Sequence, residues 1–178
     1  MAAVCLHSVL FDQDTLTADE KMCWFWVHTG YVEGKKLVLG GVEISYHQGL
    51  QGHSDADVLT HAICDALLGA SGLGNIGNLF PDSDDRNRNR NSREFLIEIY
   101  RLLQLHAIEV VNVDVTLIAQ APKLAPYIDA MKSNLSVDLV LDQSFVNVKA
   151  TTTEGLGFTG RAEGIAAHAV VLVEQSIA

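Results

Sequence analysis

The stretch from Gly52 to Asp84 constrains this chain more than any other. Ser54 or Asp55 can cap a helix by accepting a backbone N–H bond. Beyond them Val58, Leu59, Ala62, Ile63, Ala66 and Leu67 recur at helical spacing, which predicts a helix over about 55–71 with one side turned to a core. Asp57, His61 and Asp65 are four apart and fall together on another face. A histidine with a carboxylate one turn away on either side has an orienting partner for its second ring nitrogen, as a metal-bound imidazole needs. The plainer alternative is a solvated polar face with hydrogen bonds between successive turns.

Composition narrows what surrounds that helix. At 178 residues, 48% hydrophobic, with 14 Gly and 3 Pro, the chain suits one folded domain with a real core. It carries 22 acidic against 12 basic residues, net charge −10, which argues against non-specific nucleic-acid binding. An acidic protein that handles phosphorylated substrates is expected to recruit divalent cations. Cys5, Cys23 and Cys64 are scattered and form no CxxC pair, so a reducing compartment and no disulfide framework are expected. No apolar run approaches the roughly 20 residues of a membrane span, and no secretory signal is visible. The expected location is the cytoplasm, with an organelle of bacterial origin as the alternative.

Residues 1–24 read as an atypical N-terminal extension and 25–178 as a single domain. Strands are expected at about 23–28, 36–39 and 42–45, with Gly40 and Gly41 at a sharp turn. Gly72, Gly74 and Gly77 end the first helix. The run from Asp84 to Asn91 reads as a solvated loop whose arginines could touch a phosphate. Asn91 and Glu94 have capping-box spacing for a second helix to about 105. Val111, Val113, Val115 and Leu117 alternate with polar residues as a half-buried strand. Pro122 and Pro126 bracket a turn before a third helix ending near 137. Strands follow at about 145–149 and 165–173, separated by a Thr-rich and Gly-rich loop. Helices and strands do not alternate strictly, which predicts an α+β fold, a mixed β-sheet with helices packed on one face.

The Gly-rich loop at 155–160 lacks the Gly-Lys-Ser/Thr ending of a P-loop and does not open a helix as GxGxxG. No G-x-S-x-G elbow is present, and no cysteine has a histidine partner of known type. A site rich in His, Asp, Thr and Glu suits metal-assisted chemistry at phosphate, where positioning and charge neutralisation do most of the work.

Five stretches together carry a specific resemblance: His53 to His61, Asp65 to Ala70, Phe80 to Asp84, Ala119 to Lys123, and Lys149 to Arg161. In order and near-matching spacing, from about residue 31 to the C-terminus, they resemble the 2-C-methyl-D-erythritol 2,4-cyclodiphosphate synthase family. The resemblance implies a phosphorus–oxygen lyase of the non-mevalonate isoprenoid route. It would convert 4-diphosphocytidyl-2-C-methyl-D-erythritol 2-phosphate to the cyclic diphosphate and CMP. It also implies a homotrimer with active sites between subunits, zinc or a similar divalent cation, and magnesium or manganese. The nucleophile is the substrate's own 2-phosphate, which agrees with the absence of a protein nucleophile.

Carried over by position, His61 and His28 would hold zinc, and Glu154 the magnesium ion. His53 and Thr152 would stabilise the five-coordinate transition state, with Ser54 bonding phosphate. Asn75, Ile76 and Gly77 would meet the ribose and erythritol, with Phe80, Asp82, Ser83 and Asp84 lining the same pocket. Ala119, Pro122, Lys123, Leu124 and Ala125 would frame the cytosine, and Thr151, Thr153, Phe158 and Arg161 would complete the substrate site. Plainer readings stand beside several of these: Phe80 and Phe158 as core, Asp82 and Asp84 as turn residues, Arg161 as an ion pair with Glu163.

Three departures from the family pattern matter. Its first strand normally carries Asp-x-His; here either Trp26-Val27-His28 or, in an ungapped register, Val27 and Thr29 occupy those positions, and neither offers an aspartate. Asn75 stands for a usual Asp, and Gly155 for a usual Lys. The sequence therefore leaves three readings: an active synthase whose metal shell Asp12, Asp14 or water completes; a trimer that binds cytidine nucleotide without turnover; and a phosphohydrolase using His61 with Asp57.

Overall fold

A computed structural model describes residues 4–7 and 18–176. Strands β1 (Val4–His7) and β2 (Ala18–Glu33) open the chain, followed by the short β3 (Leu37–Leu39), β4 (Val42–Ile44) and β5 (Gln48–Leu50). Helices α1 (Val58–Ser71), α2 (Ile76–Leu79) and α3 (Ser92–Leu105) precede β6 (Ile108–Ile118). Helix α4 (Ile128–Asp138), β7 (Val146–Thr151), α5 (Gly157–Gly160) and β8 (Gly164–Ser176) complete the fold. The main sheet runs β1-β2-β8-β6-β7, with β5 pairing β2 and β3-β4 forming a separate hairpin. Among the described residues only β6 and β7 pair in parallel and the other pairs are antiparallel, so the sheet is mixed as expected.

Alternation decides which face the helices cover. Cys23 and Phe25 of β2, Val113, Val115 and Leu117 of β6, and Ile165, Ala167, Ala169, Val171 and Val173 of β8 are buried, and α1 packs across β2 and β8. The small Ala167 and Ala169 let α1 approach the sheet. Trp24, Trp26, His168, Val170 and Leu172 fall on the opposite face, half-exposed, and no long helix covers them. There Trp26 stacks on His28 at 4.7 Å, and its indole N–H is buried with no partner among the described residues.

Strand β2 is longer than expected, because Ala18–Trp24, within the N-terminal extension, pair residue by residue with β8. On the other side of β8, β6 starts at Ile108 and absorbs a bulge between Val110 and Asn112. Among the described residues no helix is long and apolar enough to cross a membrane.

A polar junction ties the helix layer to the hairpin. Asp57 caps α1 through Thr60 N at 3.1 Å and Thr60 Oγ1 at 2.8 Å, and its second oxygen also accepts Gly41 N at 2.8 Å. Arg93 of α3 pairs with the buried Asp138 of α4 at 2.6 Å. At Gly41, where φ is +69°, a Cβ would sit 2.2 Å from Arg93 Cδ, so a side chain there would expel the arginine.

Candidate active site

The capping residue of α1 is Asp57 rather than Ser54 or Asp55, and that shift redistributes the polar groups. Fully buried, Asp57 faces the hairpin, and burial, helped by the charge of Asp55, pushes its carboxyl up to about 6 against the bonds from Thr60 and Gly41. Asp65 is also turned away: it accepts Ile76 N at 2.8 Å and fixes the start of α2. The three-residue polar face expected from i, i+4 spacing is therefore two structural caps flanking one histidine. A phosphohydrolase built on His61 with Asp57 has no such pair to use.

What orients His61 is Ser92, which the sequence reading missed. Its hydroxyl lies 3.0 Å from His61 Nε2 and donates a short bond to Asp55, while Ser92 N donates to the other Asp55 oxygen at 3.1 Å. Ser54 Oγ reaches the same ring nitrogen at 3.2 Å. Burial holds His61 below its ordinary pKa despite the nearby Asp55, Asp65 and Asp82. The only hint in the sequence was Ser92 at the mouth of α3, where any serine reads as an ordinary cap.

His61 and Ser54 line a cavity of about 290 Å³ together with His53, Ile76, Gly77, Phe80 and Asp82. His53 lies at its exposed mouth, 3.9 Å from Asp82. Phe80 stacks on Phe95 with centroids 4.6 Å apart, and the Arg90 guanidinium covers both rings at 5.7 and 4.8 Å. Arg86 pairs with Asp84, Arg88 with Asp85, and Arg90 with Glu94 and Glu98, so carboxylates in or beside the loop answer its basic charges. Asn75 caps α2 through Asn78 N, and Ser83 is exposed in the neighbouring turn.

His28 also borders the cavity, yet its ring lies against Trp26 and, 5.4 Å away, Phe158. Strand alternation puts it on the opposite face of β2 from α1, and Val27 and Thr29 on the side of His61. Thr29 spends its hydroxyl on Gln51 O at 2.6 Å. Among the described residues no three His, Cys, Asp or Glu side chains gather to hold a metal ion. His61 is the one buried imidazole of the cleft and His53 stands exposed at its mouth beside Asp82, so the described residues do not fit a zinc centre of three protein ligands. Asp12 and Asp14 lie outside the described residues.

A second cluster forms around the end of β7. Thr152 Oγ1 donates to Glu154 Oε1 at 2.7 Å, and Glu154 takes a positive φ of 51°, an uncommon backbone for a residue with a side chain. Thr153 Oγ1 donates to Leu156 O, and its hydroxyl meets that of Thr159 at 3.1 Å. Ala119 N bonds Thr151 O at 3.0 Å, and the Tyr31 hydroxyl donates to Ala121 O, which docks the loop through Pro122, Lys123, Leu124 and Ala125 beside the threonines. Arg161 pairs with Glu163 at 2.8 Å, the plainer of its two readings.

Both clusters lie along one line across the sheet. Thr29 is paired with Ile165, Ile118 with Ala166, and Thr151 with Ile118. Three strand spacings separate β2 from β7, or about 14 Å.

The model of the YgbB family matches residues 25–174. The chain belongs to the YgbB family. It is 59% identical over 144 residues to the 2-C-methyl-D-erythritol 2,4-cyclodiphosphate synthase of Syntrophomonas wolfei, covering 81% of this chain and 92% of that protein. The enzyme of the same name from Geobacillus kaustophilus is 56% identical, covering 82% and 92%. Among solved structures, the bifunctional IspDF of Campylobacter jejuni superposes with a TM-score of 0.85 at 42% identity, over 89% of this chain and 43% of that one. The CDP complex of IspF from Plasmodium falciparum gives 0.77 at 32% identity, over 89% and 97%. The resemblance read from five motifs is borne out, and this YgbB family member shares the α+β architecture of its relatives.

Proposed function

We propose that this chain is a 2-C-methyl-D-erythritol 2,4-cyclodiphosphate synthase that works as a homotrimer. It closes 4-diphosphocytidyl-2-C-methyl-D-erythritol 2-phosphate into the cyclic diphosphate and releases CMP. The observation that carries the reading is that the family's motifs fall into two clusters about 14 Å apart on one sheet. Neither cluster alone would surround a substrate; the cleft of one subunit facing the loop of the next would. The half-exposed aromatic face with Trp24, Trp26 and His168 supports association of copies.

In the reaction an oxygen of the substrate's 2-phosphate attacks the β-phosphorus, and the bond from β-phosphorus to the bridging oxygen breaks. CMP leaves with that electron pair. Both reacting groups belong to one molecule, so the protein's task is to fold it and meet developing charge. Ser54, buried in the cleft, and His53, exposed at its mouth beside Asp82, would bond the phosphates. Thr152 would do the same from the opposing loop, held to Glu154. Asn75, Ile76 and Gly77, fixed by Asp65, would receive the ribose and erythritol hydroxyls. Backbone groups from Ala119 to Ala125 would frame the cytosine, with Ala121 held by Tyr31. Glu154 keeps one carboxylate oxygen beyond its bond from Thr152, which suits magnesium shared with phosphates, and that ion would neutralise the diphosphate. No step is assigned to zinc.

The test is CMP release from the expected substrate by the full-length chain, with sedimentation to establish the trimer. Release at an ordinary enzymatic rate is expected. A monomer that releases none sinks the proposal.

A further inference from the structure

Two positions of β2, 27 and 29, look into the cleft of His61, where His53 and Asp82 stand exposed at the mouth and no three ligating side chains gather among the described residues. Val27 has no donor, and the Thr29 hydroxyl is committed to Gln51 O at 2.6 Å. The carboxylates behind the cleft, Asp55, Asp57 and Asp65, are engaged by Ser92, by Thr60 and Gly41, and by Ile76, and Asp82 at its mouth faces His53 at 3.9 Å. His61 Nε2 already meets two hydroxyls, leaving Nδ1 as its uncommitted nitrogen. One imidazole holds zinc weakly, whereas structural and catalytic zinc sites use three or four protein ligands. A diphosphate is itself a chelating, doubly charged oxygen ligand.

We infer that this chain carries no resident zinc, that its cleft cation enters as a complex with the nucleotide diphosphate, and that Val27 and Thr29 set this behaviour. The inference rests on the synthase reading for the identity of the diphosphate. His61 then serves as one ligand of a cation whose remaining sites are filled by phosphate oxygens and water. Because binding linkage is reciprocal, zinc must tighten CDP by the same factor as CDP tightens zinc.

Equilibrium dialysis of the full-length trimer against zinc, with and without CDP, tests this. The expected result is at least a tenfold rise in zinc affinity when CDP is present, and the same rise in CDP affinity when zinc is present. His61→Ala should abolish that mutual gain while circular dichroism stays unchanged. The double substitution Val27→Asp with Thr29→His places two ligands on one strand face and should hold one zinc per chain without CDP. Should the double variant misfold, Thr29→His alone should still tighten zinc in the absence of CDP. Stoichiometric zinc on the unaltered chain without nucleotide overturns the inference, as does a CDP affinity indifferent to zinc; both leave CMP release, and hence the synthase reading, standing. Failure to release CMP counts against the synthase reading by itself.

Discussion

The cleft beneath α1 and the loop beyond β7 open on the same end of one sheet, yet they are held in different ways. In and behind the cleft, Ser54, Ser92 and Asp57 are buried, and each meets a named partner. Around β7, Thr151, Thr152 and Glu154 are exposed and hold one another through short local bonds and a left-handed backbone at Glu154. A buried network rigidifies through desolvation, so losing one member leaves another unpaired. An exposed loop gains little from each bond and needs something packed against it to become rigid. The difference is the one the proposed trimer requires: a loop left for a neighbouring subunit to complete, and a cleft finished within the fold.

The sharpest way to break that comparison is complementation. His61→Ala and Thr152→Ala should each lower kcat by about a hundredfold or more. Refolded together at equal ratio, the two variants should regain about a quarter of wild-type activity, because a random trimer assembles a site with both intact halves at that frequency. No recovery would mean that both halves serve the same subunit.

Asp57→Ala should cost about 2–4 kcal/mol in urea unfolding, since it removes a helix cap and strands the Gly41 and Thr60 donors. A loss below 1 kcal/mol would show that the cleft's support is less demanding than its burial suggests.

The same residue gives a pH signature. The folded carboxyl titrates at about 6, above its ordinary range, so the native state binds the extra proton. Its contribution to stability is full below about pH 4 and is lost as pH rises through 6, up to about 3 kcal/mol. The stability gap between wild type and Asp57→Asn should therefore shrink between pH 4 and 7, and a widening gap would reverse the assignment.

Ser92→Ala should destabilise by about 1–3 kcal/mol, because Asp55 is left without its hydroxyl donor. Smallest of all, Arg90→Ala removes a cation above Phe80 and Phe95 and should weaken CDP binding only a few-fold, about 1 kcal/mol. A large loss of kcat there would show that Arg90 meets the phosphates despite its two glutamates.

Much of the fold was legible because its signals are periodic. Val113, Val115 and Leu117 alternate, and Phe95, Ile99 and Leu103 recur at helical spacing, and both patterns persist in space. Boundaries were read less well: nothing in Ala18 to Met22 announces a strand until its pairing with β8 is known. At the site, His53, Ser54 and His61 come together as expected, since a cap and one helical turn fix them locally. Spacing misled at Asp57 and Asp65, whose carboxylates answer Gly41 and Ile76, partners distant in sequence. His28 lines the same cavity as His61, as the resemblance implied, but from the opposite face of β2, with its ring against Trp26. Ser92 could not be found at all, because its role rests on contacts 31 and 37 positions away.

Gly41 meets the α1 cap through its amide and the Arg93–Asp138 pair through its bare α-carbon. The hairpin, α1, α3 and α4 are thereby fastened at a single point, and they should open together rather than piecewise. In native-state hydrogen exchange the Gly41 amide would then report the free energy of unfolding of the whole helix layer, although it belongs to a two-residue turn.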